Sequence, residues 1–461
     1  MHLKNIICLL VDRLHIGYWG AYGNAEIETP TLDRLAAESF LADRFYVDTP
    51  DPVRQCRSWW RGVHTLSQNS APTIMSQLNA AGYRTVLVTD DPDVAYSPDA
   101  GDFSDVQLLS TSDCVSDRNR YSDRKHVDKE PCNEIDETHL CGMLATIAAT
   151  AESLTQSGKP YCLWCYLRGF DEIWDFPLLL REKYRGEDDP EPYAEVKPPF
   201  ASSEFRVQSS ECLARFPENR FINSDQMDDF RQSVVSAYAG GVTMLDELLE
   251  MLIEPLCACE LGNETLFLLA GSRGVLFGEH GIIGIPPTEA ASVEPFASSL
   301  VQVPLAIRFP DGFGATVRSD ALLQPHDVTR LFYEWLALPI PSTFQNSPNM
   351  LDLIREEPQK LRDCVLIVAS SDESETSHAT NCLVTPSWFL QELDPSADSS
   401  DDKFALYVKP DDRWDVNNVV DRCAEIVEQL VEVRNDVSRR LMSNNATQIE
   451  PLLGILRERF Q

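Results

Sequence analysis

Long apolar runs are missing from this 461-residue chain. None approaches the roughly 18–20 residues that a membrane helix needs. The longest near the start is Ile6-Ile7-Cys8-Leu9-Leu10-Val11. It has only Lys4 ahead of it and runs directly into Asp12-Arg13 without a small-residue cleavage site, so it does not read as a secretory leader. The expectation is a cytoplasmic protein with no membrane association. Positive charge is also scarce: 39 Lys and Arg stand against 73 Asp and Glu, a formal charge of −34. That balance excludes nucleic acid and anionic membrane surfaces as partners, and its plain use is solubility. Metal-site spacing is absent as well. The 13 cysteines include one C-x-x-C (Cys162, Cys165) and one C-x-C (Cys257, Cys259), with no second pair beside histidines. The chain therefore carries neither a zinc-site pattern nor a disulfide framework, and its cysteines read as reduced core residues.

What is present is an ordinary globular composition, 43% hydrophobic and 24% charged, enough for two or three domains. Lys4–Val11 reads as a buried parallel strand, Thr31–Phe40 as a helix opened by Pro30, and Ile74–Ala81 as a helix stopped by Gly82. Further strands are expected at Tyr83–Val88, Tyr161–Leu167, Thr265–Ala270 and Val303–Phe309. Helices are expected at Leu140–Gln156, Met227–Ile253 and Asp327–Ala337. Thr111–Glu137 and Glu182–Asn223 read as irregular insertions. The Pro- and Ser-rich Pro339–Asn349 divides a domain 1–345 from a domain 346–461. Alternating strands and helices imply an α/β fold with a large, mostly parallel sheet sandwiched by helices. Strand-like runs at Cys364–Ala369, Cys382–Leu390 and Phe404–Val408, with a helix over Val419–Ser443, imply a small C-terminal antiparallel sheet with a closing helix.

A set of ordered motifs then resembles the sulfatases of the alkaline phosphatase superfamily. Asn5–Asp12, Gly20-Ala21-Tyr22-Gly23 and Glu28–Glu38 are similar to that family's N-I-x-x-x-x-x-D-D, G-x-Y-G and T-P-N-L-D-R-L-A-x-E-G. Ala81–Thr85, Trp174–Pro177, Tyr238–Asp246, Asn263–Leu266, Gly278–Gly281 and Val303–Leu305 resemble later landmarks. The resemblance implies a sulfatase-like α/β fold and sulfuric ester hydrolysis. It also implies a calcium ion held by carboxylates, with cations around the sulfate, and a formylglycine made from the Cys or Ser of C/S-x-P-x-R.

Residue by residue the chain departs from that list. The first opening aspartate is kept as Asp12, a remnant metal ligand by position, and the second is Arg13. The nucleophile position falls on Pro50, with Arg54 kept and Thr49 and Cys56 nearby as unconventional nucleophiles. The family's lysine and histidine after the second strand become Asp90 and Pro92. Its histidine after the next strand becomes Asp171, and its metal pair becomes Ser272-Arg273. No calcium or other cofactor is therefore expected, with calcium as in the family the alternative, since roughly six to eight oxygens surround that ion.

Three functions follow from these residues. One is a catalytically impaired sulfatase-like pseudoenzyme that binds a ligand or protein partner through the old cleft. The second is an active sulfuric or phosphoric ester hydrolase using Thr49 or Cys56, and the third is a structural or assembly protein on the same fold. His64 and His280 are acid–base positions only on the second reading, and the Gly278–Gly281 run otherwise reads as a structural turn. Trp59 and Trp60 read as core in preference to a sugar platform. The sequons at Asn263 and Asn445 carry no meaning in a cytoplasmic chain. Two ligand positions became cations and two cationic positions became carboxylates, so a salt-bridge cluster is expected to join Arg13 or Arg273 to Asp12, Asp90 or Asp171.

Overall fold

The computed structural model describes residues 5–68, 71–109, 131–171, 173–187, 224–258, 264–281, 283–284, 296–341, 344, 348–357, 362–368, 381–393, 403–443, 452 and 454–457. Residues 110–130 and 188–223, most of Thr111–Glu137 and Glu182–Asn223, and both sequon asparagines lie outside the described residues. Among the described residues fourteen strands are formed: β1 Asn5–Val11, β2 Phe40–Ala42, β3 Arg84–Thr89, β4 Asp105–Leu108, β5 Tyr161–Leu167, β6 Thr265–Gly271, β7 Leu276–Phe277, β8 Ile283–Gly284, β9 Leu305–Arg308, β10 Arg318–Ser319, β11 Val365–Val368, β12 Asn381–Val384, β13 Trp388–Glu392 and β14 Phe404–Val408.

The large sheet has eight strands in the order β10-β2-β9-β6-β1-β5-β3-β4. β1, β3, β4, β5 and β6 run parallel, as the continuous apolar runs imply, because strands covered on both faces need no polar alternation. β9 is antiparallel to β6 and to β2, so the sheet is mostly but not wholly parallel. A four-stranded antiparallel sheet runs in chain order from β11 to β14. Helix Ala424–Met442 turns Val427, Leu430 and Val437 inward, and they join Leu366, Leu383, Leu390 and Leu406 in one core. The run Cys382–Leu390 is not one strand. It splits at Thr385-Pro386-Ser387, where the Thr385 hydroxyl accepts from the backbone N–H of Trp388 at 3.0 Å.

The chain forms two compact units. One comprises Met1–Asp43, Met75–Ile285 and Pro304–Arg318; the other comprises Arg44–Ile74, Pro286–Val303 and Ser319–Gln461. Among the described residues no helix is long and apolar enough to cross a membrane. Among the described residues Cys8, Cys141, Cys162, Cys165, Cys364, Cys382 and Cys423 are free thiols. Three of them, Cys8, Cys162 and Cys165, lie in β1 and β5, where burial pushes their thiols up, Cys162 to about 12.

The retained motifs hold the first unit together. In Gly20–Gly23, the N–H of Gly20 meets Thr29 Oγ1 at 3.0 Å and that of Ala21 meets Asp33 Oδ1 at 2.9 Å. The Tyr22 hydroxyl accepts from Leu305 N at 3.0 Å and lies 3.1 Å from the carbonyl of Ala42, bridging β9 and β2. Along the helix Ser224–Ala258, Tyr238, Val242 and Asp246 recur every fourth residue on one face. Tyr238 receives the His15 N–H at 2.9 Å. Asp246 accepts from Thr31 N at 3.1 Å and from Leu32 N at 2.7 Å, so it caps helix Pro30–Ala37 from another element. Gly240 of the same helix is required by close approach, since a Cβ there would lie 2.1 Å from the Leu180 carbonyl oxygen.

Replacing Asp246 by Ala leaves the first-turn N–H groups of helix Pro30–Ala37 without acceptors in a buried setting. The expected loss is about 1–2 kcal/mol, read as a lower urea midpoint at unchanged slope.

Candidate functional site

The register of the large sheet places the candidate residues of the first unit. Val11 of β1 lies beside Leu167 of β5 and Gly271 of β6, and Thr89 of β3 lies beside Tyr166 of β5. The residues that follow these ends, Asp12, Arg168, Ser272 and Asp90, therefore emerge along one carboxyl edge, where open α/β sheets place their ligands. All four are buried.

Asp12 is enclosed by donors. Its Oδ1 accepts from the Ser272 hydroxyl at 2.6 Å, from Arg273 Nε at 3.0 Å and from its neighbour's backbone, Arg13 N, at 3.1 Å. Its Oδ2 accepts from Arg273 Nη2 at 2.9 Å, completing a two-point guanidinium–carboxylate fork. The same Nη2 lies 3.5 Å from Asp171 Oδ1, and Arg13 Nη2 pairs with that oxygen too. Asp12, Arg273, Asp171 and Arg13 thus form one buried salt-bridge cluster. Burial pushes the Asp12 carboxyl up, Arg273 and Arg13 pull against it, and Asp171 adds to the burial effect. Burial opposes the charge of Arg273, but Asp12 and Asp171 outweigh it and hold the guanidinium above its ordinary value. The Tyr166 hydroxyl lies 3.4 Å from the Ser272 hydroxyl, and burial pushes it well up.

Backbone geometry supports the cluster. Arg13 has φ +62°, a left-handed conformation that Gly, Asn and Asp enter more easily than Arg. It is held there by the Tyr238 hydroxyl, which donates to the Arg13 carbonyl at 2.6 Å. Gly169, at φ +53°, lets the loop after β5 pass the Asp12 backbone, where a Cβ would sit 2.7 Å from the Asp12 carbonyl oxygen. Asp90 belongs to a neighbouring group. Its Oδ1 accepts from Arg168 N at 2.8 Å, its Oδ2 lies 3.0 Å from His139 Nε2, and Arg168 Nε is 3.8 Å away. Nothing in the sequence pointed to His139 or Arg168, since neither falls on a family landmark.

The second unit holds Thr49, Arg54 and Cys56. Asp51 caps helix Pro52–Arg61, accepting from Val53 N at 2.9 Å and Arg54 N at 3.1 Å. The Cys56 thiol is buried and donates to the Pro52 carbonyl at 3.2 Å, one turn back in that helix. Thr49 is buried, its hydroxyl accepting from Asp51 N at 3.3 Å and its carbonyl from Gln55 Nε2 at 2.6 Å. Arg54 is half-buried on the helix's first turn. Trp59 and Trp60 are buried core residues, not a platform. In the first unit His280 is exposed, in a turn at φ +54°.

His64 belongs to a buried polar group that the sequence did not reveal. Its Nδ1 accepts from Leu66 N at 3.1 Å, so its Nε2 carries the proton and donates to the Leu366 carbonyl at 3.0 Å. Arg362 forks onto Asp327 at 2.8 and 3.0 Å and donates from Nη2 to His326 Nε2 at 2.9 Å. Both imidazoles are thereby held neutral. Burial lowers the pKa of His64, with Arg362 and Arg54 acting in the same sense and Asp48 and the Leu366 carbonyl opposing. Burial, Arg362 and His64 lower that of His326 further.

A model of the sulfatase family matches residues 4–338. An arylsulfatase of Clostridium perfringens (strain 13 / Type A) is 21% identical over 410 residues, 78% of this chain and 80% of that protein. A Sus scrofa N-acetylgalactosamine-6-sulfatase is 48% identical over 46 residues, 10% of this chain and 9% of its own. Among solved structures, one in complex with its substrate D-glucosamine-2-N,6-O-disulfate superposes with a TM-score of 0.67 at 18% identity, covering 97% of this chain and all of that one. The phosphonate monoester hydrolase of Agrobacterium radiobacter also gives 0.67, at 16% identity, covering 96% and 95%. With the family model spanning more than two-thirds of its length, the chain belongs to the sulfatase family.

The calcium that this family usually employs does not fit the residues present. Both oxygens of Asp12 are taken by protein donors, the Asp171 carboxylate is paired with Arg13 and Arg273, and the other adjacent positions present two guanidiniums and one hydroxyl. A divalent cation needs oxygens, and a guanidinium offers only donors.

The histidine pair gives a signed pH dependence. Both folded-state pKa values are depressed, so below about pH 6.5 the unfolded chain binds more protons. Stability is complete above that value and falls as the pH drops from about 6.5 towards 5, by up to about 1.4 kcal/mol per pH unit for each histidine. The Asp327 carboxyl, raised by burial, acts in the opposite sense. Urea titrations of wild type and His326→Gln across that range isolate the imidazole, and the variant is expected to show the shallower acid slope.

Proposed function

We infer that this sulfatase-family chain is a pseudoenzyme. It engages a ligand or protein partner through the carboxyl edge of its large sheet and does not turn over sulfate esters. The engagement of Asp12 by Ser272, Arg273 and the Arg13 backbone carries this reading. In the family that carboxylate serves a metal; here it serves the protein's own cations. The nucleophile position supports it. Pro50 has no side-chain oxygen or sulfur, and a formylglycine cannot be made from it. The neighbouring alternatives support it too. Cys56 is committed to a carbonyl of its own helix, and the Thr49 hydroxyl is buried. The acidic composition is in keeping with a cytoplasmic protein that binds neither nucleic acid nor membrane.

The purified full chain is expected to show no turnover of nitrophenyl or umbelliferyl sulfate, with or without added calcium. Several members of a cooperating catalytic group are replaced, and such losses leave little residual rate. Sulfate or phosphate ester turnover abolished by Thr49→Ala or Cys56→Ala would instead establish a hydrolase with an unconventional nucleophile.

A further inference from the structure

We propose that Arg273 is a tethered counter-ion. Its guanidinium is the cation that the carboxylate-bearing edge of this sheet requires, supplied by the chain itself and not exchangeable with solvent. This goes beyond the functional reading, because it concerns what holds the first unit together and is measured by stability, not turnover.

Three observations converge on it. Asp12 is 1% exposed and Asp171 4%, so each carboxylate is almost wholly removed from water and must be met by a cation. One side chain answers both, with Arg273 Nη2 2.9 Å from Asp12 and 3.5 Å from Asp171. Arg273 is itself 6% exposed, so these carboxylates take the place of its hydration. Arg13 also pairs with Asp171, so that carboxylate is met by two guanidiniums. The Arg13 backbone lies in a region that Asp or Asn enters readily, and it is pinned there by Tyr238. The turn thus keeps a shape suited to an acidic residue while presenting a basic one.

The proposal has a chemical consequence. Truncating Arg273 to Ala removes the guanidinium and leaves Asp12 and Asp171 facing a space of that shape. A free planar guanidinium ion can re-enter and restore the fork; a sodium ion cannot supply directed donors.

Thermal unfolding of the full chain tests this, with wild type and Arg273→Ala compared in EDTA, calcium chloride, sodium chloride and guanidinium chloride at matched, non-denaturing ionic strength. Wild type is expected to melt at the same temperature in EDTA and in calcium. Arg273→Ala is expected to melt roughly 5–15 °C lower, the range for one partner lost from a buried pair. Guanidinium should recover part of that loss in the variant alone, and sodium should recover none. Calcium that stabilises wild type, a variant as stable as wild type, or a folded variant that gains no more from guanidinium than from sodium would each overturn the proposal. Should Arg273→Ala not fold, Arg273→Lys decides the matter. Retained folding with an intermediate melting temperature supports a counter-ion, and failure of the lysine variant as well rejects it.

Discussion

Asp12 sits at the end of a central strand with 1% of its surface exposed, and a carboxylate so far from water costs several kcal/mol unless a cation meets it. Much of the first unit can be followed outward from that requirement. Arg273 meets the carboxylate with two nitrogens, and Ser272 and the Arg13 N–H both donate to its Oδ1. At Arg13 the chain then turns away in a left-handed conformation, and the turn is held by the hydroxyl of Tyr238. Tyr238 stands on the long helix whose next two turns bring Asp246 to the start of helix Pro30–Ala37. One buried charge is thus linked through a turn, a helix face and a cap to the sheet's far flank.

The motifs shared with the family make bonds that the fold needs whatever chemistry it performs: Tyr22 ties β9 to β2, Thr29 and Asp33 hold the turn at Gly20, and Asp246 caps a helix. At the carboxyl edge the charges meet one another in two groups: Arg273 lies on Asp12 and Asp171 with Arg13 on Asp171, and Asp90 meets Arg168 and His139. A ligand approaching this edge meets charges already engaged in pairs.

Much of this was legible in the sequence, and the exceptions have causes. β1, β5 and β6 are long buried runs and could be read directly. β2 has three residues and β4 four, too short for any period to show. The helix Pro52–Arg61 was hidden because its tryptophans suggest burial without suggesting helix, and its start depends on the Asp51 cap. Cys382–Leu390 looked like one strand because the turn inside it is a proline between two hydroxyl residues in an apolar run. In the site, the exchange of charge signs at Arg13, Asp171 and Arg273 could be read only against a family pattern. The partnership of Asp90 with His139, and of His326 with Arg362, could not be read at all. These pairs are made by the meeting of separate elements, and no local spacing encodes them.

The cysteines of β1 and β5 carry a different kind of information. Cys8, Cys162 and Cys165 lie on adjacent central strands, fully buried, with thiols that burial keeps protonated. A thiol-reactive reagent reaches such a sulfur only after the layer packed on that face of the sheet opens, as at Cys162, which lies against Met75 of helix Ile74–Ala80. Their rate of modification is therefore a clock for the opening of that layer. Cys141 and Cys423, on partly exposed surfaces, would be modified without any such opening and set the clock's zero.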